Sequence, residues 1–222
     1  DSSFDVSTWL SSGGAVSLAV RPDGTILAGG YLNGYSGPNA KRLVRLTTTG
    51  GLDPTFNSAS AVVEGVRGIA VQPGGRILVS EYGGTVRRLE ANGAVDLSFA
   101  ARSIAGGIWQ VAIEADGRIL LGATRSSATA ESTIARLTAA GATDPSVTAV
   151  PRKAGLVRAL VPLTGGRMLV AGNFSFFGGV ARPGLVRLNR DGSPDSGYSP
   201  PDTLASIRQL VPLPDGGCWV VS

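Results

Sequence analysis

The sequence repeats itself, and that repeat limits what the chain can fold into. An apolar run, a glycine-containing turn and a second apolar run recur five times. They read Ser17–Gly24 with Thr25–Gly30, Gly68–Gly75 with Arg76–Val79, Gln110–Gly117 with Arg118–Gly122, Ala159–Gly166 with Arg167–Gly172, and Gln209–Gly216 with Cys218–Ser222. Asp-Gly or Gly-Gly between apolar runs predicts a tight β-hairpin, because glycine supplies the positive φ the turn needs. The turn glycines Gly24, Gly75, Gly117, Gly166 and Gly216 are spaced by 51, 42, 49 and 50 residues.

Four of the units continue with a second motif: a short strand ending in Arg-Leu, a turn, and an Asp eight positions after the Arg. The pairs are Arg45 and Asp53, Arg88 and Asp96, Arg136 and Asp144, Arg187 and Asp195. Three residues beyond each Asp stand Phe56, Phe99, Val147 and Tyr198, and Asp1 with Phe4 repeats that last piece alone. Nearly all length variation falls between the second and third strands, in Tyr31–Lys41, Glu81–Thr85, Thr124–Thr133 and Asn173–Pro183. The shared parts therefore read as scaffold and the variable loops as the place for specificity.

About four short antiparallel strands within roughly 40–50 residues is the size of a propeller blade. The predicted fold is all-β: one β-propeller domain spanning 1–222, with repeats near 14–60, 65–104, 107–150 and 155–200. A last repeat, 206–222, is completed by residues 1–6. That makes four complete four-stranded blades and one incomplete blade, either a five-bladed ring or a fragment of a larger propeller. An open solenoid of sheets is the structural alternative. Apolar residues on both faces of the first strand, such as Leu18 with Ala19 and Ile69 with Ala70, suit a sheet held between two neighbours.

Composition narrows the chemistry. With 32 Gly, 13 Pro and 43% hydrophobic residues, the chain is too apolar for disorder and suits short strands joined by tight turns. The net charge is +4, and only Lys41 and Lys153 among the basic residues are lysine. The arginines recur at repeat positions and do not form a basic stripe, which argues against nucleic-acid binding. There is no histidine, which excludes Ser-His and Cys-His nucleophiles, and a lone Cys218, which excludes an intrachain disulfide. No apolar run approaches the roughly 18 residues of a membrane span.

The pattern V-x-x-[LIV]-A-V-x-P-D-G-[RT]-I-L-[VA]-G-G, then R-L, then D-G-x-x-D-x-[ST]-F resembles the delta-60 repeat family of bacterial β-propeller proteins. Val66–Val79 and Arg187–Asp195 carry the likeness best, while Val147 and Tyr198 stand where Phe is expected and Ser80 where Gly is. The resemblance implies a propeller in an exported protein, extracellular, at the cell surface or periplasmic. It carries over no catalytic or binding residue.

Each candidate site has a structural counterpart. Arg45/Asp53, Arg88/Asp96, Arg136/Asp144 and Arg187/Asp195 read as structural ion pairs across a turn, with the aromatic after Asp as a plug between blades. Asn189, Asp191 and Asp195 hint at a metal loop, but the equivalent turns carry no carboxylate and the ligand alternation of a Ca²⁺ loop is missing, so no metal or cofactor is expected. A column two residues before the first-strand aliphatic holds Val16, Arg67, Trp109, Arg158 and Arg208. These side chains either bind an anionic or sugar-like ligand together or fill a central channel. The loop aromatics Tyr31, Tyr35, Tyr82, Phe174, Phe176 and Phe177 either form a contact surface or fold back as lids. Glu64, Glu81, Glu114 and Asp202 are the carboxylates available for glycoside chemistry and share no motif. Cys218 reads as an inert thiol in an apolar strand. The expected function is a non-catalytic binding or scaffolding module that docks a protein partner through its loop-bearing face. A lectin-like carbohydrate module is the alternative, and a carboxylate hydrolase or lyase the least supported.

Overall fold

The computed structural model describes residues 4–7, 12–32, 41–59, 61–104, 106–126, 131–147, 155–201, 206–213 and 217–221. Tyr35, Asp202 and the turn glycine Gly216 lie outside the described residues. The chain forms two compact units, residues 1–103 and 104–222.

In the first unit, β1 (Gly13–Val20), β2 (Ile26–Leu32) and β3 (Lys41–Leu46) make one antiparallel sheet in that order. A second sheet follows, from β4 (Val66–Val71), β5 (Ile77–Glu81), β6 (Thr85–Leu89) and β7 (Arg102–Ser103). The first strands of the two repeats, β1 and β4, lie against each other.

In the second unit, β8 (Ile108–Ile113), β9 (Ile119–Ser126) and β10 (Glu131–Leu137) form the third repeat's sheet. The fourth joins β11 (Val157–Pro162), β12 (Met168–Gly172) and β15 (Leu185–Leu188), with a small hairpin of β13 (Phe176–Phe177) and β14 (Val180–Ala181) between the last two. The fifth is the pair β16 (Gln209–Pro212) and β17 (Cys218–Val221). First strands again lie side by side, β8 against β11 and β11 against β16.

The architecture is all-β and propeller-like, and each predicted hairpin among the described residues is present with its turn glycine at positive φ: Gly24 at 79° and Gly117 at 84°. The one helical feature among the described residues is a single 3-10 turn, Thr164–Gly166, at the fourth hairpin. Among the described residues, no helix is long and apolar enough to cross a membrane.

The fourth strand of a blade is described in one repeat, and its counterparts in the third and fourth repeats fall wholly or partly outside the described residues. Among the described residues only the second sheet has a fourth strand, β7, paired to β6 through Thr85–Ser103 and Val86–Arg102. After the Arg-Leu strand each of four repeats first closes a bridged turn. Single β-bridges join Leu46 to Leu52, Leu89 to Val95, Leu137 to Thr143 and Leu188 to Pro194. Each Asp that follows folds its own side chain over the backbone N–H two residues on, which ends the ladder there. Residues 4–7 likewise adopt no strand.

The cores lie between consecutive sheets. In the first unit, Leu27 and Leu43 of the first sheet pack on Val66, Ile69, Ile77 and Val79 of the second. In the second unit, Leu120 and Ile134 meet Leu160, Val170 and Val186, and on the other side of that sheet Leu169 and Ala171 meet Ile207 and Leu210. Close approach depends on glycine in the second strand. A Cβ at Gly29 would lie 2.5 Å from Val66 Cγ1, and one at the equivalent Gly122 would lie 2.8 Å from Val157 Cγ1. Gly29→Ala is therefore expected to destabilise the first unit by about 1–3 kcal/mol in urea unfolding. An unchanged midpoint would show that the sheets can move apart freely.

Candidate functional site

Every strand has two chemically distinct ends. At the hairpin end sit the Arg/Asp pairs. Arg45 Nε donates to Asp53 Oδ2 at 2.8 Å, Arg88 Nε to Asp96 Oδ2 at 2.6 Å, and Arg187 Nε to Asp195 Oδ2 at 2.8 Å. The other carboxylate oxygen accepts the N–H two residues on, from Thr55, Ser98 or Gly197. The aromatic three residues beyond Asp lies under the guanidinium: Phe56 under Arg45 at 5.1 Å, Phe99 under Arg88 at 4.9 Å, and Tyr198 under Arg187 at 4.6 Å. The fixed eight-residue spacing follows from the turn, in which each Asp N–H donates to the carbonyl of its own Arg.

These arginines also reach the next repeat. Arg45 Nη1 donates to Ala91 O at 2.7 Å, in the turn after β6, and Arg136 Nη1 to Arg190 O at 2.6 Å, in the turn after β15. Backbone contacts run alongside, with Asn57 N–H donating to Asn92 O at 2.9 Å.

The third repeat departs from the sequence expectation. Arg136 does not pair with Asp144. It turns to Glu114, with Nη2 donating to Oε1 at 3.0 Å and Nε 2.7 Å from Oε2, and its side chain is fully buried. Asp144 instead faces Arg118 Nε at 3.0 Å. The cause is visible in two residues. Val147 stands where the others have a ring, so Arg136 has no aromatic face to lie on. Glu114 stands where Arg21, Gln72 and Leu163 stand, and supplies a buried acceptor. Burial pushes the Glu114 carboxyl above its ordinary value, against the pull of Arg136.

The opposite, loop-bearing end carries the variable column. Register shifts between Ala15 and Ser17, Val66 and Gly68, Ile108 and Gln110, and Val157 and Ala159 make Val16, Arg67, Trp109 and Arg158 the extra residues of β-bulges. A bulge re-aims its side chain away from the alternation of the strand. Arg208, in the fifth repeat, immediately precedes β16 and is exposed. Val16 is exposed, and Arg67, Trp109 and Arg158 are half-buried. In the second unit, Trp109 and Arg158 thus occupy corresponding places on adjacent first strands, and Arg208 stands just before the next one.

In the first unit the bulge meets the loop aromatics. The Arg67 guanidinium lies 3.9 Å from the centre of the Tyr82 ring, Tyr82 packs on Tyr31 at 5.0 Å, and Arg42 lies 5.0 Å over Tyr31. The result is an Arg–Tyr–Tyr–Arg stack joining two repeats, with Gly65 leaving room for the Tyr31 ring. Arg42 was not among the candidates, and its only signal was its place at the start of the Arg-Leu strand.

In the second unit the loop aromatics behave differently. Phe174 and Phe177 are 4% and 5% exposed, stack at 5.1 Å and belong to the core, so they do not form a contact surface. The cause is the β13–β14 hairpin, closed by Gly184 N–H to Phe174 O and Arg182 N–H to Ser175 O, which folds the loop back on the sheet. Phe176, between them, remains exposed.

The carboxylate candidates are dispersed. Glu81 is buried and accepts from Arg87 at 2.6 Å and from the N–H of Glu64 at 3.0 Å, while Glu64 is exposed. Asp191 accepts the N–H and hydroxyl of Ser193, and Asn189 donates to that hydroxyl. Among the described residues, no three His, Cys, Asp or Glu side chains come together as a metal site. Cys218 is half-buried against the core of its unit, and burial raises its thiol above the ordinary value.

Three segments, residues 21–56, 114–146 and 166–198, match the family model described as Domain of unknown function (DUF5122) beta-propeller. No curated protein matches the chain by sequence. Among solved structures, a catalytically inactive variant of virginiamycin B lyase from Staphylococcus aureus, with quinupristin, is similar at a TM-score of 0.63 and 10% identity, over 94% of this chain and 63% of that one. The β-propeller domain of Myceliophteria thermophila Cps50 (Swd1) is similar at 0.62 and 12%, over 95% and 63%. A protein of unknown function from Bacteroides caccae is similar at 0.50 and 15%, over 84% and 69%. The chain thus spans just under two thirds of the lyase and Swd1 structures, and what it shares with them is the fold.

Two predictions follow from the hairpin end. Asp96→Ala removes the carboxylate from a buried Arg88 and is expected to cost up to about 3 kcal/mol, whereas Asp144→Ala costs less because Glu114 holds Arg136. Equal losses in urea unfolding would contradict the exchange of partners. The Ser98 hydroxyl first, and Arg88 after it, hold Asp96 at about 2, against its ordinary 3.8. Its contribution is therefore complete above about pH 4 and disappears as pH falls towards 2. The stability gap between wild type and Asp96→Asn should close over that window, and a gap constant down to pH 2 would refute the assignment.

Proposed function

We propose that this chain is a non-catalytic binding module whose loop-bearing strand ends dock a protein partner. One observation carries the reading. In four of the first strands a bulge re-aims one side chain at the end where the loops differ, and in the fifth repeat Arg208 stands at the matching place just before β16. In the second unit these side chains are Trp109, Arg158 and Arg208, on or just before adjacent strands, a cationic and aromatic set suited to an acidic peptide or protein surface. The exposed Phe176 lies on the variable loop of the fourth repeat, after the second strand.

The carbohydrate-binding reading rests on the Tyr31–Tyr82 pair, because stacked rings flanked by arginine suit a sugar face. It is second because the equivalent places in the other repeats hold different residues, whereas a lectin built on repeats would present one site several times. Catalysis has the least support. The similar lyase structure is of an inactive histidine-to-alanine variant, and this chain has no histidine at all. The buried carboxylates Glu81 and Glu114 are both engaged by arginines. No cofactor or nucleic acid enters the reading. The likeness to delta-60 repeats favours an exported protein.

The test pairs capture with a variant. Arg158→Glu with Arg208→Glu should keep the wild-type melting temperature and lose a partner that wild type retains. A partner retained equally by both would overturn the reading. Binding on a glycan array, lost on Tyr82→Ala, would favour the carbohydrate alternative.

A further inference from the structure

The first and second repeats finish their outer edges differently. In both, the carbonyl of the motif Arg points outward and accepts the Asp N–H: Arg45 O from Asp53 at 2.9 Å, Arg88 O from Asp96 at 3.0 Å. Along an antiparallel strand the residue two positions earlier shares that direction, for its N–H as for its carbonyl. In the second repeat that residue is Val86, and β7 takes its edge by pairing Arg102 with it. In the first repeat it is Leu43.

Counted from the Arg of each motif, the counterpart of Arg102 is Ala59. Ala59 lies in a turn, with the N–H groups of Ala61 and Val62 both donating to Ser58 O, at 2.9 and 3.0 Å. That turn carries Ala61 and Val62 into the core between the two sheets. The Leu43 carbonyl is met by a side chain, the Ser58 hydroxyl, at 2.8 Å. Between β3 and residues 52–62 lies a cavity of about 510 Å³.

We propose that this cavity binds an extended acidic peptide segment of a partner, which lies beside β3 as β7 lies beside β6. The edge favours a strand, because Leu43 N–H points into the place that main-chain pairing would use. The size favours a single segment of a few residues and leaves no room for a further sheet. The charge favours an acidic one. Lys41, Arg42 and Arg45 line the cavity against one carboxylate, Asp53, which Arg45 and the Thr55 N–H already hold. A strand that shows two carboxylates on one face carries them two positions apart. In this sequence only Glu114 and Asp116 are so spaced, and they are engaged in the third repeat by Arg136 and Arg118. These 222 residues therefore do not supply the segment. The site does not rest on the docking proposed for the bulges.

The test is a titration of the ¹⁵N-labelled chain with the end-blocked peptide Glu-Val-Glu-Val-Glu, to about 2 mM, beside Lys-Val-Lys-Val-Lys as control. The acidic peptide should shift the Leu43 amide and slow its hydrogen exchange, binding at least about tenfold more tightly than the basic one. Ala59→Trp, at an exposed position on the cavity wall, should melt as wild type does and lose the binding. Lys41→Glu, also exposed, should remove the preference for acid, and it carries the test if Ala59→Trp fails to fold. Four results would each overturn the proposal: no shift at Leu43, equal binding of the two peptides, binding unchanged in both variants, or a Leu43 amide already slow to exchange without peptide, which would mean that the edge is occupied from within the protein. An oligouronate that shifts Leu43 where the acidic peptide does not would overturn it in favour of a saccharide.

Discussion

A guanidinium that answers to two repeats at once sets the geometry on which the rest of this chain depends. Arg45 is held by its own Asp53, lies over its own Phe56 and donates to the turn carbonyl of Ala91 in the next repeat. A planar, permanently charged fork can satisfy an acceptor, a ring face and a distant carbonyl together, which a lysine cannot. Apolar packing between sheets is tolerant of sliding, whereas a hydrogen bond of 2.7 Å fixes one separation. The glycine at position 29 and the bond from Arg45 therefore act together. One permits close approach, and the other fixes the distance.

Much of this was legible in the sequence because it is local. The hairpins follow from Asp-Gly and Gly-Gly, and the Arg/Asp pairing follows from a spacing that a single bridged turn imposes. What was not legible is set by distance in the chain. Arg136 exchanges Asp144 for Glu114, 22 positions upstream, and only the missing ring at Val147 hinted at it. The carbonyls of Ala91 and Arg190 have no sequence signature at all. Phe174 and Phe177 looked exposed because they lie in a variable loop, but a hairpin inside that loop turned them inward.

Scaffold and specificity are separated along each strand. The end that fastens repeats uses one recurring set of residues with one documented exchange of partners. The other end holds Val, Arg, Trp or Arg at the bulge, and tyrosines or nothing comparable beside it. The Arg–Tyr–Tyr–Arg stack of the first unit shows that these variable residues can cross-link repeats as well as face outward. Binding and cohesion therefore draw on the same side chains at that end, and a ligand held by Tyr82 would compete with Arg67 for the ring.

The bulge has a consequence for how such a chain can be altered. Its inserted residue adds to the strand without taking a Cα position in the paired register, so exchanging it leaves that register unchanged. A gene encoding this chain therefore offers one rewritable letter in each bulged repeat, at a fixed address, and at Arg67 a rewrite also gives up the place over Tyr82. New recognition can be composed there by single-codon changes, while the folding instructions in the remaining letters go untouched.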